Sequence, residues 1–157
     1  MKIKNALISL SDKNELDKLL KILQKFKINI ISSGGTFREI KKLGYKCTEV
    51  SEFTKFKEML DGRVKTLHPK IHAGILARRD SDMKTLDEKN YEPIDLVIVN
   101  LYPFKQTVKQ DCSFEEAIEK IDIGGPTMIR AAAKNFKDVV VISDPEDYDK
   151  TVSYTHL

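Results

Sequence analysis

The sequence predicts an α/β fold of three layers, a mostly parallel sheet with helices on both faces. Three observations predict it. Short apolar runs alternate with segments of helical period along most of the chain. Ile94-Asp95-Leu96-Val97-Ile98-Val99 is a near-continuous apolar run of the kind a central parallel strand needs when both its faces are covered. Polar, glycine-containing turns separate several of these units, as βαβ crossovers require.

The elements follow in order. Ala6 to Leu10 reads as a strand closed by Ser11-Asp12-Lys13, after which Leu16, Leu19, Leu20, Leu23 and Phe26 recur at helical spacing. Asp12 and Glu15, three apart, suit a capping pair. Ile28 to Ile31 is a second strand, Ser32 to Thr36 a tight turn, and Phe37, Ile40 and Leu43 one face of a helix that Gly44 stops. Tyr45 to Val50 fits a third strand. From Ser51 to Pro93 the apolar period weakens, and a long connection without regular structure inside a compact domain is commonly functional. After the strand ending near Asn100, Ser113-Phe114-Glu115-Glu116 is a capping box opening a short helix. Pro126 suits the first position of a further helix that runs through Ala131-Ala132-Ala133 to Lys134. Val139 to Ile142 is the last strand, and Ser143-Asp144-Pro145-Glu146 opens a helix near the end of the chain.

At 157 residues, 41% hydrophobic and 32% charged, the chain has the size and composition of one folded domain. With 27 basic against 24 acidic residues the net charge is only +3, which provides no global field for nucleic acid, so attraction for anions must be local. No apolar run approaches the roughly 20 residues of a membrane span and none forms a signal-peptide core, so a cytoplasmic protein is expected. Cys47 and Cys112 are far apart and suggest neither a disulfide framework nor a zinc site.

In a parallel sheet of this type ligands gather at the carboxyl ends of the strands. The turns to inspect are therefore Ser11 to Lys13, Ser33 to Thr36, Asn100 to Tyr102 and Asp122 to Gly125. Ser33-Gly34-Gly35-Thr36 joins a strand to a helix start, where glycines let backbone approach an anion, although an ordinary turn with Thr36 as cap explains it equally well. The dinucleotide fingerprint is absent, and Gly62 to Thr66 is not a nucleotide phosphate loop because Val64 stands where a second glycine is needed. Arg63, Lys65 and Lys70 sit within a segment, Asp61 to Asp80, that holds five cations against two carboxylates. That pattern serves phosphate binding or a solvated basic loop. His68 and His72 have helical metal-ligand spacing, but Pro69 and the lack of paired carboxylates argue against a metal. The three alanines before Lys134 suggest tight packing that aims its amine inward, where desolvation would make it a proton carrier beside Asp122 and Tyr102.

Ser9-Leu10-Ser11-Asp12-Lys13, Ser33-Gly34-Gly35-Thr36, the string from Asp61 to His72, Asn100-Leu101-Tyr102-Pro103-Phe104, and Ile121-Asp122-Ile123-Gly124-Gly125 through Arg130-Ala131-Ala132-Ala133-Lys134-Asn135 together resemble the IMP cyclohydrolase domain, the N-terminal half of the bifunctional purine-biosynthesis enzymes. The likeness runs over residues 1–150, while 151–157 look like a truncated or non-family tail and the formyltransferase half is not present. The resemblance implies a methylglyoxal-synthase-like fold and closure of 5-formamido-1-(5-phosphoribosyl)imidazole-4-carboxamide to IMP with loss of water, with no metal and no redox cofactor. It implies that Ser11, Lys13, Ser33, Gly35 and Thr36 cradle the phosphate and that Arg63, Lys65, Thr66, Asn100, Tyr102, Asp122, Gly124 and Lys134 surround the base. Within it, Lys65 and Tyr102 would serve the carboxamide, Asp122 and Lys134 the formyl group, and the amides of Gly124 and Gly125 an oxyanion. A homodimer and a C-terminal formyltransferase partner domain also follow from the resemblance. Two other readings share the fold: a non-catalytic nucleotide- or phosphate-sensing regulatory domain, and methylglyoxal synthase.

Overall fold

The computed structural model describes residues 2–109 and 112–149, so the expected tail at 151–157 lies outside the described residues. Five strands, β1 (Asn5–Leu10), β2 (Asn29–Ser32), β3 (Thr48–Glu49), β4 (Leu96–Asn100) and β5 (Val140–Ile142), form one sheet in the order β3-β2-β1-β4-β5. All of its pairings are parallel. The helices among the described residues are α1 (Leu16–Lys25), α2 (Gly34–Lys42), α3 (Val50–Thr54), α4 (Pro69–Leu76), α5 (Met83–Glu88), α6 (Phe104–Thr107), α7 (Phe114–Glu119) and α8 (Gly124–Lys134).

Strand alternation divides the core into two layers. Ala6, Ile8 and Leu10 of β1 face one side with Leu16, Leu19, Leu20 and Leu23 of α1 and Ile40 of α2. Leu7 faces the other with Phe53 of α3, Ile71 and Ile75 of α4, and Met128, Ala131 and Ala132 of α8. Each strand side chain thus loses its water to a helix, at about 25 cal/mol per Å² of apolar surface. Beyond β5, a single 3₁₀ turn at Pro145–Asp147, capped by the Asp144 carboxylate accepting from the Glu146 amide at 3.0 Å, delivers Tyr148 into the α1 layer. At the amino end of the sheet the buried Asp95 carboxylate accepts the Lys4 and Asn5 amides and pairs with Arg79 at 3.3 Å.

Several local expectations are corrected. The third strand shrinks to Thr48–Glu49, and the segment from Ser51 to Pro93 is not structureless but carries α4, α5 and most of α3. The Asp12–Glu15 capping pair does not form: Asp12 accepts from the Asn14 amide at 2.9 Å, and Glu15 adopts left-handed backbone with no side-chain cap bond. Pro126 falls third in α8 rather than first, still within the turn where no intrahelical N–H partner is needed. The Ser113–Glu116 capping box forms with both of its bonds, at 2.8 and 3.1 Å.

Candidate functional site

Parallel pairing puts the carboxyl ends of β1, β2 and β4 on one edge, with Ile8 beside Ser32 and Leu10 beside Asn100. A cavity of about 710 Å³ opens there, walled also by the loop around Arg63 and by the start of α8. It brings together Ser11, Lys13, Ser33, Gly35, Thr36, Arg63, Lys65, Thr66, Asn100, Tyr102, Asp122, Gly124 and Gly125.

One end of the cavity is cationic. α2 begins at Gly34, whose φ of +56° is a backbone region that glycine enters without strain. The first-turn amides of α2 have no intrahelical acceptor and point toward the cavity end. The Lys65 amine lies 3.1 Å from where a Cβ on Gly34 would stand, and 2.8 Å from the same position on Gly62, where φ is +85°. Lys13 and Arg38 approach the corresponding position on Gly35 to 3.7 and 3.8 Å. Lys13 also donates to the Ser11 carbonyl at 3.2 Å, and Lys65 pairs with the Glu58 carboxylate at 3.3 Å. The start of α2, with Lys13, Lys65 and Arg38 gathered around its two glycines, can seat a phosphate.

The other end is made by Tyr102, Asp122 and the start of α8. One Asp122 oxygen accepts the Gly125 amide at 2.9 Å, which fixes the carboxylate across the helix N-terminus. A side chain at Gly125 would collide with Asp122 and Leu101, and one at Gly124 would meet the Thr66 hydroxyl at 2.6 Å, so both glycines permit close approach of the walls. The Lys120 amine sits 5.6 Å from the Tyr102 ring centre. At the mouth, Arg63 pairs with Glu119 of α7 at 2.8 Å, both side chains more than half exposed.

The structure revises what individual residues do. Lys134 does not line the cavity: it is exposed in the last turn of α8, about 15 Å along the axis from Gly124 at 1.5 Å per residue. The inward positions of α8 are Met128, Ala131 and Ala132, followed by Asn135, so the alanine run does not aim Lys134 inward. Asn100 holds protein, not open space: its Oδ1 accepts the Ser11 and Asp12 amides at 2.6 and 3.0 Å and its Nδ2 donates to the Asp12 carbonyl at 2.7 Å. The Thr36 hydroxyl is buried against Leu10, where both of its bonds are to backbone, so it is not free to bind at the seat. The Gly125 amide is occupied by Asp122 and is not a donor for an oxyanion. The Lys65 amine stands over Gly34 at the start of α2.

Sequence reasoning missed Glu58, Arg38 and Glu119. Arg38 carries a findable signal, since it lies one turn after Gly35 on a helix whose start was already suspected. The other two reach the site only through tertiary contacts. Among the described residues no group of three or more His, Cys, Asp or Glu is placed to hold a metal ion, and no helix is long and apolar enough to cross a membrane. Cys47 and Cys112 are free, and burial pushes the Cys47 thiol up to about 12.

Residues 15–127 match the model of the MGS-like domain. The chain is 59% identical over 152 residues to the bifunctional purine biosynthesis protein PurH of Clostridium perfringens (strain 13 / Type A), covering 96% of this chain and 30% of that protein. It is 56% identical over 153 residues to PurH of Clostridium botulinum (strain Loch Maree / Type A3), covering 96% and 31%. The chain thus spans about a third of the length of these curated relatives. A solved structure, the crystal structure of ForH, superposes with a TM-score of 0.82 at 33% identity, covering 98% of this chain and 80% of that one.

Proposed function

Since this chain belongs to the MGS-like domain family, we propose that it acts as an IMP cyclohydrolase in purine biosynthesis, closing the formylated aminoimidazole carboxamide ribotide to IMP. The observation that carries the reading is the pairing, in one cavity, of a cationic phosphate seat at Gly34–Gly35 with a fixed carboxylate and a phenol at the far end.

The reaction joins the carboxamide nitrogen to the formyl carbon. One carboxamide proton passes to the former formyl oxygen, and that oxygen then leaves as water with the proton of the formamide nitrogen, forming the ring C=N bond. An amide is a weak nucleophile, so positioning has to do much of the work. Lys13, Lys65 and the amides of α2 hold the phosphate, which fixes the ribose and turns the imidazole toward Asp122 and Tyr102. The second Asp122 oxygen, left open by the bond to Gly125, accepts the carboxamide proton as the new bond forms. The Tyr102 phenol, with the Lys120 ammonium against its ring, donates to the developing alkoxide. Arg63 and Thr66 contact the substrate from the loop. Lys134 has no part in this scheme within one chain.

The same proposal includes a homodimer, a C-terminal formyltransferase portion and a cytoplasmic location. The C-terminal portion is supported by relatives that are bifunctional and about three times longer. The test is to mix the purified chain with the formylated ribotide and follow IMP by chromatography. Product at a rate proportional to enzyme is the expected result. No product from a folded sample would overturn the reading: nucleotide binding alone would then favour a sensing domain, and methylglyoxal formed from dihydroxyacetone phosphate would favour methylglyoxal synthase.

A further inference from the structure

The loop that carries Arg63 and Lys65 is a tight hairpin with an unfavourable backbone. Met59 and Val64 exchange both of their backbone bonds, the Met59 amide donating to the Val64 carbonyl at 3.1 Å and the Val64 amide to the Met59 carbonyl at 3.3 Å. Between them Leu60, Asp61 and Gly62 have φ of +54°, +52° and +85°. Left-handed backbone suits Gly62 but is disfavoured for leucine and aspartate, and Leu60 is 66% exposed, so the tip recovers little by packing. Strain of this kind persists where the surrounding structure uses it to place something. One step outward from the Met59–Val64 pair stand Glu58 and Lys65, whose side chains form an ion pair at 3.3 Å.

The Lys65 side chain is the more enclosed partner, 29% exposed against 57% for Glu58. It runs across Gly62, where a Cβ would stand 2.4 Å from Lys65 Cε, and the Glu58 carboxylate lies 3.6 Å from the same point. Its amine ends over Gly34. Lys65 lines the cavity and Glu58 does not, so the carboxylate holds the ammonium from behind the cavity wall. A lysine side chain is flexible and rich in rotamers, and without a partner its amine would spread over several positions. A carboxylate close to a phosphate seat repels the ligand, so on charge alone Glu58 is unfavourable there. Its return is an amine already in place before the ligand arrives.

We propose that Glu58 is a positioning residue that holds the Lys65 ammonium over Gly34 to receive a phosphate. It rests on the phosphate-binding part of the cyclohydrolase reading, not on the ring closure. The positioning effect and the charge effect of Glu58 have opposite signs, which separates them. Calorimetric titrations with inorganic phosphate and with IMP compare the parent, Glu58→Ala and Glu58→Gln, in salt high enough to screen a free charge while sparing a contact pair. Glu58→Ala is expected to weaken both ligands roughly two- to fivefold, although it removes a negative charge from beside the seat. Glu58→Gln, whose amide oxygen still accepts from the ammonium, should bind at least as tightly as the parent. Melting temperatures should stay near native in both, since Glu58 is more than half exposed. In a Lys65→Met background Glu58→Ala should no longer weaken binding. An alanine variant that binds as tightly as the parent, or more tightly, leaves only the charge effect and overturns the proposal. Equal weakening by alanine and glutamine overturns it too, as does an undiminished alanine effect in the absence of Lys65. Should the alanine variant fail to fold, Glu58→Asp, which withdraws the carboxylate by one methylene, takes its place with the same expectation. A parent that binds neither ligand overturns the seat and the proposal with it. A parent that binds phosphate but forms no IMP from the formylated ribotide counts against the cyclohydrolase reading alone, and the phosphate titrations still decide the role of Glu58.

Discussion

The Thr36 hydroxyl accepts the Leu10 amide at 2.9 Å and donates to the Leu10 carbonyl at 3.0 Å. One side chain in the first turn of α2 thus replaces a missing strand at the last residue of β1, joining the phosphate turn to the centre of the sheet. Thr36 is 4% exposed, so neither bond can be exchanged for water.

Thr36→Val keeps the shape and removes both bonds, leaving a buried donor and a buried acceptor unpaired. The expected loss of stability is about 1–3 kcal/mol, read as a lowered urea midpoint at constant slope. Thr36→Ser should recover most of it. A valine variant as stable as the parent would show that Leu10 finds other partners.

Gly74 faces a backbone constraint rather than a polar one. A Cβ there would stand 2.7 Å from the Glu92 carbonyl and 3.2 Å from Ile94, whose amide bonds the Gly74 carbonyl at 3.0 Å. Backbone cannot swing aside as a side chain does, so Gly74→Ala should push α4 off the entry to β4. A cost of about 1–3 kcal/mol is expected, measured as a fall in melting temperature. An unchanged melting temperature would mean that the 92–94 segment yields freely.

These two contacts also mark what was legible in advance. The α/β alternation could be read because strand and helix periods are local, and three of the turns that line the cavity lie at strand ends that the same pattern located, while Asp122 to Gly125 opens α8. The Asp12–Glu15 cap lost to a local competitor: both Asp12 carboxylate oxygens accept from Asn14, while Asn100, 88 residues away, fixes the Asp12 backbone. The short helices between Ser51 and Pro93 were missed because α3 and α5 span only five and six residues, too few for a period to register. Lys134 was misplaced for a different reason. Alanine packs against either neighbours or solvent, and the 3.6-residue period from Met128 through Ala131, Ala132 and Asn135 turns Lys134 outward.

His72 should make stability depend on pH. Burial, its larger influence, holds the imidazole below its ordinary value of 6.5, with the Thr66 carbonyl opposing. As the pH falls past 6.5 the unfolded chain takes up this proton before the folded one, so unfolding is favoured. The contribution is whole above 6.5 and is lost progressively as the pH falls through the lower folded value. The Asp82 carboxylate, held at about 2 by Arg78, adds its own loss only below its ordinary 3.8, which separates the two windows. Chemical denaturation of the parent and of His72→Asn in the window just below pH 6.5 should give a shallower slope for the variant. Identical slopes would remove His72 as the source.

Arg63 and Glu119 meet at 2.8 Å across the cavity mouth, and α7, which supplies Glu119, buries none of its residues. With side chains 60% and 61% exposed the pair contributes little to folding, so Glu119→Gln should leave the melting temperature close to native. Its consequence lies in binding. On the proposed function, Glu119 is the carboxylate with which a phosphorylated ligand competes for Arg63, and neutralising it raises the positive potential at the entrance. Calorimetric titration with IMP is expected to show affinity increased by roughly two- to fivefold in low salt, with the gain shrinking as ionic strength shortens the reach of both charges. A weakened affinity would reverse the assignment, making Glu119 the residue that holds Arg63 in its binding position.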